Sequence, residues 1–163
     1  MAYRPRLHIV LFEPEIPHNT GSVGRTCVAV GAKLWLVRPL GFQLDDYHLR
    51  RAGLDYWQHL EHEVVNSWEH LIEAIPRGKK WLFSTHAQRS YEEAAFSEGD
   101  ALIFGNESSG LPRQWIRDAG SEALRIPIRS EVRSLNLSNS VAVACFEAHR
   151  QWNVTATAEK RFP

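Results

Sequence analysis

The sequence predicts an α/β domain in which a parallel sheet is flanked by helices on both faces. Three observations lead there. Short runs of branched and aromatic residues recur along the chain, helical patterns fall between several of them, and polar loops carrying glycine or serine follow three of the runs. Alternating strands and helices indicate parallel strands joined by crossovers. In such sheets ligands bind beyond the carboxyl ends of the strands.

The first strand is expected at residues 7–12, "LHIVLF". A helix over about residues 20–30 follows, with Asn19 placed to cap its free amides and Gly31 to end it. Strand signals then recur at residues 33–37, 80–84, 101–104 and 123–128, with a less regular one at 56–62. Asn66 and Glu69 have the spacing of a capping box ahead of "HLIEAI", as do Ser90 and Glu93 ahead of a short acidic helix. Pro112 suits the first turn of a helix through Ile116. A strongly apolar helix follows Asn139, where Ala142 and Ala144 permit close packing. One domain is expected over residues 1–155, with residues 156–163 as a flexible tail.

At 163 residues and 44% hydrophobic content, the chain has enough material for one real core. The apolar run at 141–146 is too short to cross a bilayer, and the N-terminus lacks the apolar core of a signal peptide. A cytoplasmic protein without a membrane partner is expected. Cys27 and Cys145 lie in apolar-periodic segments and read as buried free thiols. The formal net charge is zero, so a general argument from basicity to nucleic acid does not apply. Small basic groups remain: Arg4 with Arg6, Arg50 with Arg51, Arg77 with Lys79 and Lys80, and Arg125 with Arg129 and Arg133. Each reads as solvated surface or as an RNA or phosphate contact.

The loop "EPEIPHNTGSVGR" lacks the third glycine of a dinucleotide fingerprint, and there is no Walker lysine. Ser108 has Asn106 where a hydrolase elbow needs glycine. His59 and His62 have no third ligand beside them, so no metal is expected. Arg25 is different. It follows Asn19, Gly21 and Gly24 on a helix whose amino end points toward the expected site, and its planar fork suits phosphate. It reads either that way or as an exposed helical arginine. Glu107 is either a surface acid or a carboxylate that orients Arg25. In "LIFGNESSGLP" the glycines and proline force a sharp turn at a strand end. Ser134, Asn136, Ser138 and Asn139 exceed what one helix cap requires, so some of them are expected to shape a ligand loop.

Taken together, "IPHNTGSVGRTC", "LIFGNESSGLP" and "IPIRSEVRSLNLSNSVAVACFEAHRQ" resemble, in order and spacing, the three motifs of the SPOUT superfamily of RNA methyltransferases, SpoU branch. The segment "GFQLDDYHLRRAGLDYW" at 41–57 is similar to one found in its minimal, single-domain members. The resemblance implies 2'-O-methylation of the ribose at the wobble nucleotide of tRNA, cytidine or modified uridine 34, with the anticodon stem-loop as partner. Ribose methylation elsewhere in tRNA or rRNA, or a noncatalytic RNA-binding module, are the alternatives. It further implies S-adenosyl-L-methionine as donor, S-adenosyl-L-homocysteine as product, a homodimer, and a C-terminal trefoil knot. Periodicity alone leads to an unknotted sheet. By the same likeness Arg25, Asn19 and Glu107 are the catalytic residues. Ser84, Thr85, Gly105, Asn106, Ile126, Ser134, Leu135 and Asn136 are the donor-binding ones.

Overall fold

The computed structural model describes residues 5–45 and 56–157, with side chains to Asn153. Arg4, Arg50, Arg51, most of the 41–57 segment and the tail beyond Thr157 lie outside the described residues. The elements in chain order are β1 (Leu7–Phe12), α1 (Pro17–Val30), β2 (Ala32–Val37), β3 (His62–Val65), α2 (Trp68–Ala74), β4 (Lys80–Phe83), β5 (Arg89–Ser90), β6 (Ala101–Phe104), α3 (Arg113–Ala119), β7 (Ala123–Arg125) and α4 (Leu137–Thr157).

Among the described residues the strands form one parallel sheet of seven, ordered β3-β2-β1-β6-β4-β7-β5. β1 and β6 lie side by side in its interior and are almost wholly buried. That explains why they read as continuous apolar runs rather than alternating ones. Alternate residues of β1 enter separate cores, because successive side chains leave opposite faces of a strand. Leu7, Ile9 and Leu11 pack with Val23 and Cys27 of α1 and with Val141, Ala144 and Cys145 of α4. Val10 packs with Leu71 of α2 and Ile116 of α3. Both faces are therefore covered, and both cysteines are buried free thiols.

Several boundaries differ from the sequence expectation. α1 begins at Pro17 instead of near Thr20, since proline is well suited to a first turn. Asn19 consequently lies inside the helix and does not cap it. Gly31 ends α1 as expected, in the left-handed region at φ 73°. The 56–62 signal is a 3-10 turn at Trp57–His59 followed by β3, which begins at His62 where pairing with Leu34 becomes available. α2 is capped by Ser67, whose hydroxyl accepts from the His70 amide, one position beyond the expected Asn66. The short acidic helix is a single 3-10 turn, Tyr91–Glu93, and Ser90 accepts from the Glu92 amide. Pro112 precedes α3, which continues beyond Ile116 to Ala119. β4 ends at Phe83, one residue early. β7 stops at Arg125, because its partners β4 and β5 end beside it. The two-residue β5 carries too little apolar pattern to be read from sequence.

Candidate functional site

β6 ends at Phe104, and the chain then doubles back so tightly that Asn106 and Gly110 form an antiparallel bridge. The amide of Gly110 donates to the Asn106 carbonyl at 3.1 Å. The Asn106 side-chain oxygen accepts from both the amide and the hydroxyl of Ser109 at 2.8 Å. Gly105 makes the turn possible. A Cβ there would stand 2.0 Å from the Gly110 carbonyl carbon and 2.2 Å from the Leu111 nitrogen, both backbone atoms.

This hairpin projects Glu107 toward the start of α1. Its carboxylate accepts from the amides of Glu15 at 2.8 Å and Ile16 at 3.0 Å, and from the Asn19 side-chain amide at 3.3 Å. Ile16 supplies no side-chain cap. A carboxylate distant in sequence thus satisfies amides at the positive end of the helix. Ser108 adds a second tie by donating to the Glu15 carboxylate.

Asn19 is 5% exposed, and its oxygen accepts from the Asn136 side-chain amide at 3.0 Å. The Asn136 oxygen in turn accepts from the Ser138 amide at 2.9 Å, the Ser138 hydroxyl at 2.6 Å and the Asn139 amide at 3.3 Å. Asn136 thereby caps α4 and braces α1 at once. The polar cluster at 134–139 does both jobs, and the loops following β1, β6 and β7 form one hydrogen-bonded unit.

Beside that unit lies a cleft of about 880 Å³, a size suited to a small-molecule ligand. All eight residues expected to bind the donor line it. Ser84 and Thr85 come from the end of β4, Gly105 and Asn106 from the end of β6, and Ile126, Ser134, Leu135 and Asn136 from the stretch between β7 and α4. Phe83 and Phe104, stacked with centroids 4.7 Å apart, contribute apolar surface, together with Ile128 and Leu137. Apolar surface beside exposed loop backbone is the chemistry a nucleoside-like ligand requires. Asn19 and Glu107 also line the cleft.

Arg25 does not line it. The residue is exposed on α1, with its guanidinium 5.5 Å from the centroid of the Tyr56 ring. Arg113 and Arg133 do line the cleft, with His86. Arg133 belonged to a basic group visible in the sequence, whereas nothing in the sequence distinguished Arg113 or His86. Arg129 is paired with Glu131, whose pKa is lowered by backbone hydrogen bonding and, after that, by the Arg129 contact. Among the described residues no group of potential metal ligands occurs, and no helix is long and apolar enough to cross a membrane.

Residues 6–146 match the model of the SpoU rRNA methylase family. A relative from Burkholderia pseudomallei, named tRNA (cytidine(34)-2'-O)-methyltransferase, is 46% identical over 147 residues, covering 88% of this chain and 94% of the relative. A solved structure described by its work on the 2-OH methylation of C/U34 on tRNA superposes with a TM-score of 0.86 at 48% identity, covering 91% of this chain and 97% of the other. At 22% identity, the SpoU methyltransferase AviRb from Streptomyces viridochromogenes, solved with AdoMet, shares the fold with a TM-score of 0.83 over 94% of this chain and 60% of its own.

Proposed function

The chain belongs to the SpoU rRNA methylase family, and from that premise we propose that it methylates the 2'-hydroxyl of the ribose at nucleotide 34 of tRNA, cytidine or modified uridine, using S-adenosyl-L-methionine. The observation that carries this reading is the side-chain chain Glu107–Asn19–Asn136, which fixes three loops around one cleft at the carboxyl ends of the strands. Relatives named for this reaction match along nearly their whole length.

The cleft fits the donor. Its apolar surface and the close backbone approach at Gly105 suit an adenosine, while the serine and asparagine loops suit its polar groups. When bound, the donor would supply a methyl group activated on a sulfonium, whose sulfur leaves as the neutral thioether of S-adenosyl-L-homocysteine. The chain's own task is to hold a ribose hydroxyl in line and to stabilise the oxygen as its proton passes to solvent water. Positioning of this kind is worth several kcal/mol, on the order of 7–11 in the best cases. A guanidinium remains protonated throughout, so Arg25 stabilises the developing alkoxide and the adjacent phosphate and does not act as a base. Glu107 and Asn19 position α1, the helix that carries Arg25. No metal enters the scheme.

We assign a homodimer to this reading. Arg25 is absent from the lining of its own chain's cleft. Ile16 is 45% exposed at the cleft rim, and Val143 and Phe146, three residues apart on α4, are 37% and 52% exposed. In this reading a second copy covers these exposed apolar residues and brings α1 of one protomer toward the cleft of the other. The protein acts on the anticodon stem-loop in the cytoplasm.

Incubation of the full chain with labelled donor and anticodon stem-loops, followed by nucleoside analysis, tests the reading. A 2'-O-methylated nucleoside at position 34 is expected. A methylated base, or no transfer to any stem-loop, overturns it.

A further inference from the structure

Arg25 makes no ion pair with any described residue; its neighbour is an aromatic face. Three contacts fix that arrangement. The Arg25 guanidinium lies 5.5 Å from the Tyr56 ring centroid. The Tyr56 hydroxyl donates to the Gly21 carbonyl at 2.6 Å, the same carbonyl that accepts the Arg25 amide in an α-helical ladder. Next to Tyr56, the turn Trp57–His59 is seated against Gly24 of α1. A Cβ on Gly24 would stand 2.9 Å from the Leu60 Cδ2 atom and 3.4 Å from the Trp57 ring. The spacing of "GSVGR" is therefore read by the 56–60 segment, which sits on the helix face beside the arginine.

We propose that Tyr56 is a positioning residue for Arg25, a role that rests on the function proposed above. A carboxylate partner would hold an arginine equally firmly, but it would neutralise the charge and occupy the in-plane N–H donors. An aromatic face attracts the cation through its quadrupole and leaves those donors free. The hydroxyl anchors the ring to the helix that carries the arginine, so platform and guanidinium move as one body. The result is an undiminished positive fork held in a limited set of orientations, ready for a ribose oxygen and its phosphate.

Single-turnover methyl transfer to an anticodon stem-loop, together with calorimetric donor binding and thermal melting, tests this in Tyr56→Leu, Tyr56→Phe and an Arg25→Lys control. Loss of a cation–π contact to an exposed arginine corresponds to about two- to fivefold in rate, on top of what loss of the hydroxyl anchor costs. Tyr56→Leu is expected to lose both in the maximal rate at a temperature where it is fully folded, with donor affinity unchanged, while its melting temperature falls by the few degrees that the lost Gly21 hydrogen bond costs. Tyr56→Phe keeps the platform but not the anchor and is expected to lose about threefold. Arg25→Lys is expected to fall further than either. The proposal is overturned if Tyr56→Leu turns over at the wild-type rate while Arg25→Lys does not. It is equally overturned if Leu and Phe lose the same amount, or if the loss follows donor affinity or vanishes at temperatures where the variant is fully folded. Full activity in Arg25→Lys strikes at the proposed chemistry itself and removes the role of Tyr56 with it.

Discussion

Asn136 donates a 3.0 Å hydrogen bond to Asn19 across 117 residues of chain. The same Asn136 accepts from the first amides of α4, so one side chain joins the starts of two helices to the cleft wall.

Asn136→Ala removes the cap and the brace together. A lost N-cap and a buried Asn19 left short of a partner predict destabilisation of about 1–2 kcal/mol. Urea unfolding measures the loss. Calorimetry should show weaker donor binding as well; unchanged affinity would separate the brace from the cleft.

Gly105→Ala addresses the hairpin. The added methyl meets backbone of Gly110 and Leu111 at distances no rotamer change relieves, so the 105–110 loop must open. The expected cost is about 1–3 kcal/mol, accompanied by loss of donor binding. Gly99, whose added Cβ would meet nothing within 4 Å but whose φ is +90°, is the control for backbone strain alone: Gly99→Ala should destabilise the fold yet leave the donor affinity intact.

Phe146→Asp places a charge on the exposed apolar part of α4. If a second copy covers that surface, sedimentation should show self-association weakened by at least about tenfold in association constant, while the melting profile of the monomer stays close to wild type. A sedimentation profile identical to wild type would exclude Phe146 from the interface.

His8 makes stability depend on pH. Its Nδ1 accepts from the Trp35 indole at 3.0 Å, and burial, followed by the charges of Lys33 and Lys80, lowers its pKa from 6.5 to about 4. Below pH 6.5 the unfolded chain binds a proton that the folded chain refuses. The stability associated with His8 is therefore complete above that value, falls as pH drops toward about 4, and then levels off. Urea midpoints for wild type and His8→Gln across this range check the sign: wild type should lose more on acidification, since carboxylate effects are common to both.

Much of this was legible in the chain. The interior strands "LHIVLF" and "ALIF" declare themselves because both faces are buried, and Gly31 marks the end of α1 because the left-handed turn there favours glycine. The order of strands and loops placed three polar loops at the strand ends, and all eight residues that the family resemblance assigns to the donor line one cleft. Edge elements were harder. β3 and β5 are short and half-exposed, so pairing with a neighbour, which has no local signature, decides where they begin.

The sequence by itself determined which residue types were available and on which loops they sat. Only the tertiary structure decided their partners. Asn19 looked like a helix cap from local spacing, but the carboxylate at the start of α1 is that of Glu107, which accepts from the Glu15 and Ile16 amides across more than ninety residues of chain, and Asn19 instead joins it to Asn136. Arg25 read either as a phosphate contact near the site or as an exposed helical arginine, and it lies exposed beside Tyr56. The physical reason is the same in each case: hydrogen bonds and cation–π contacts are satisfied by whatever group the packed sheet brings within a few ångströms, and separation along the chain carries no information about that distance.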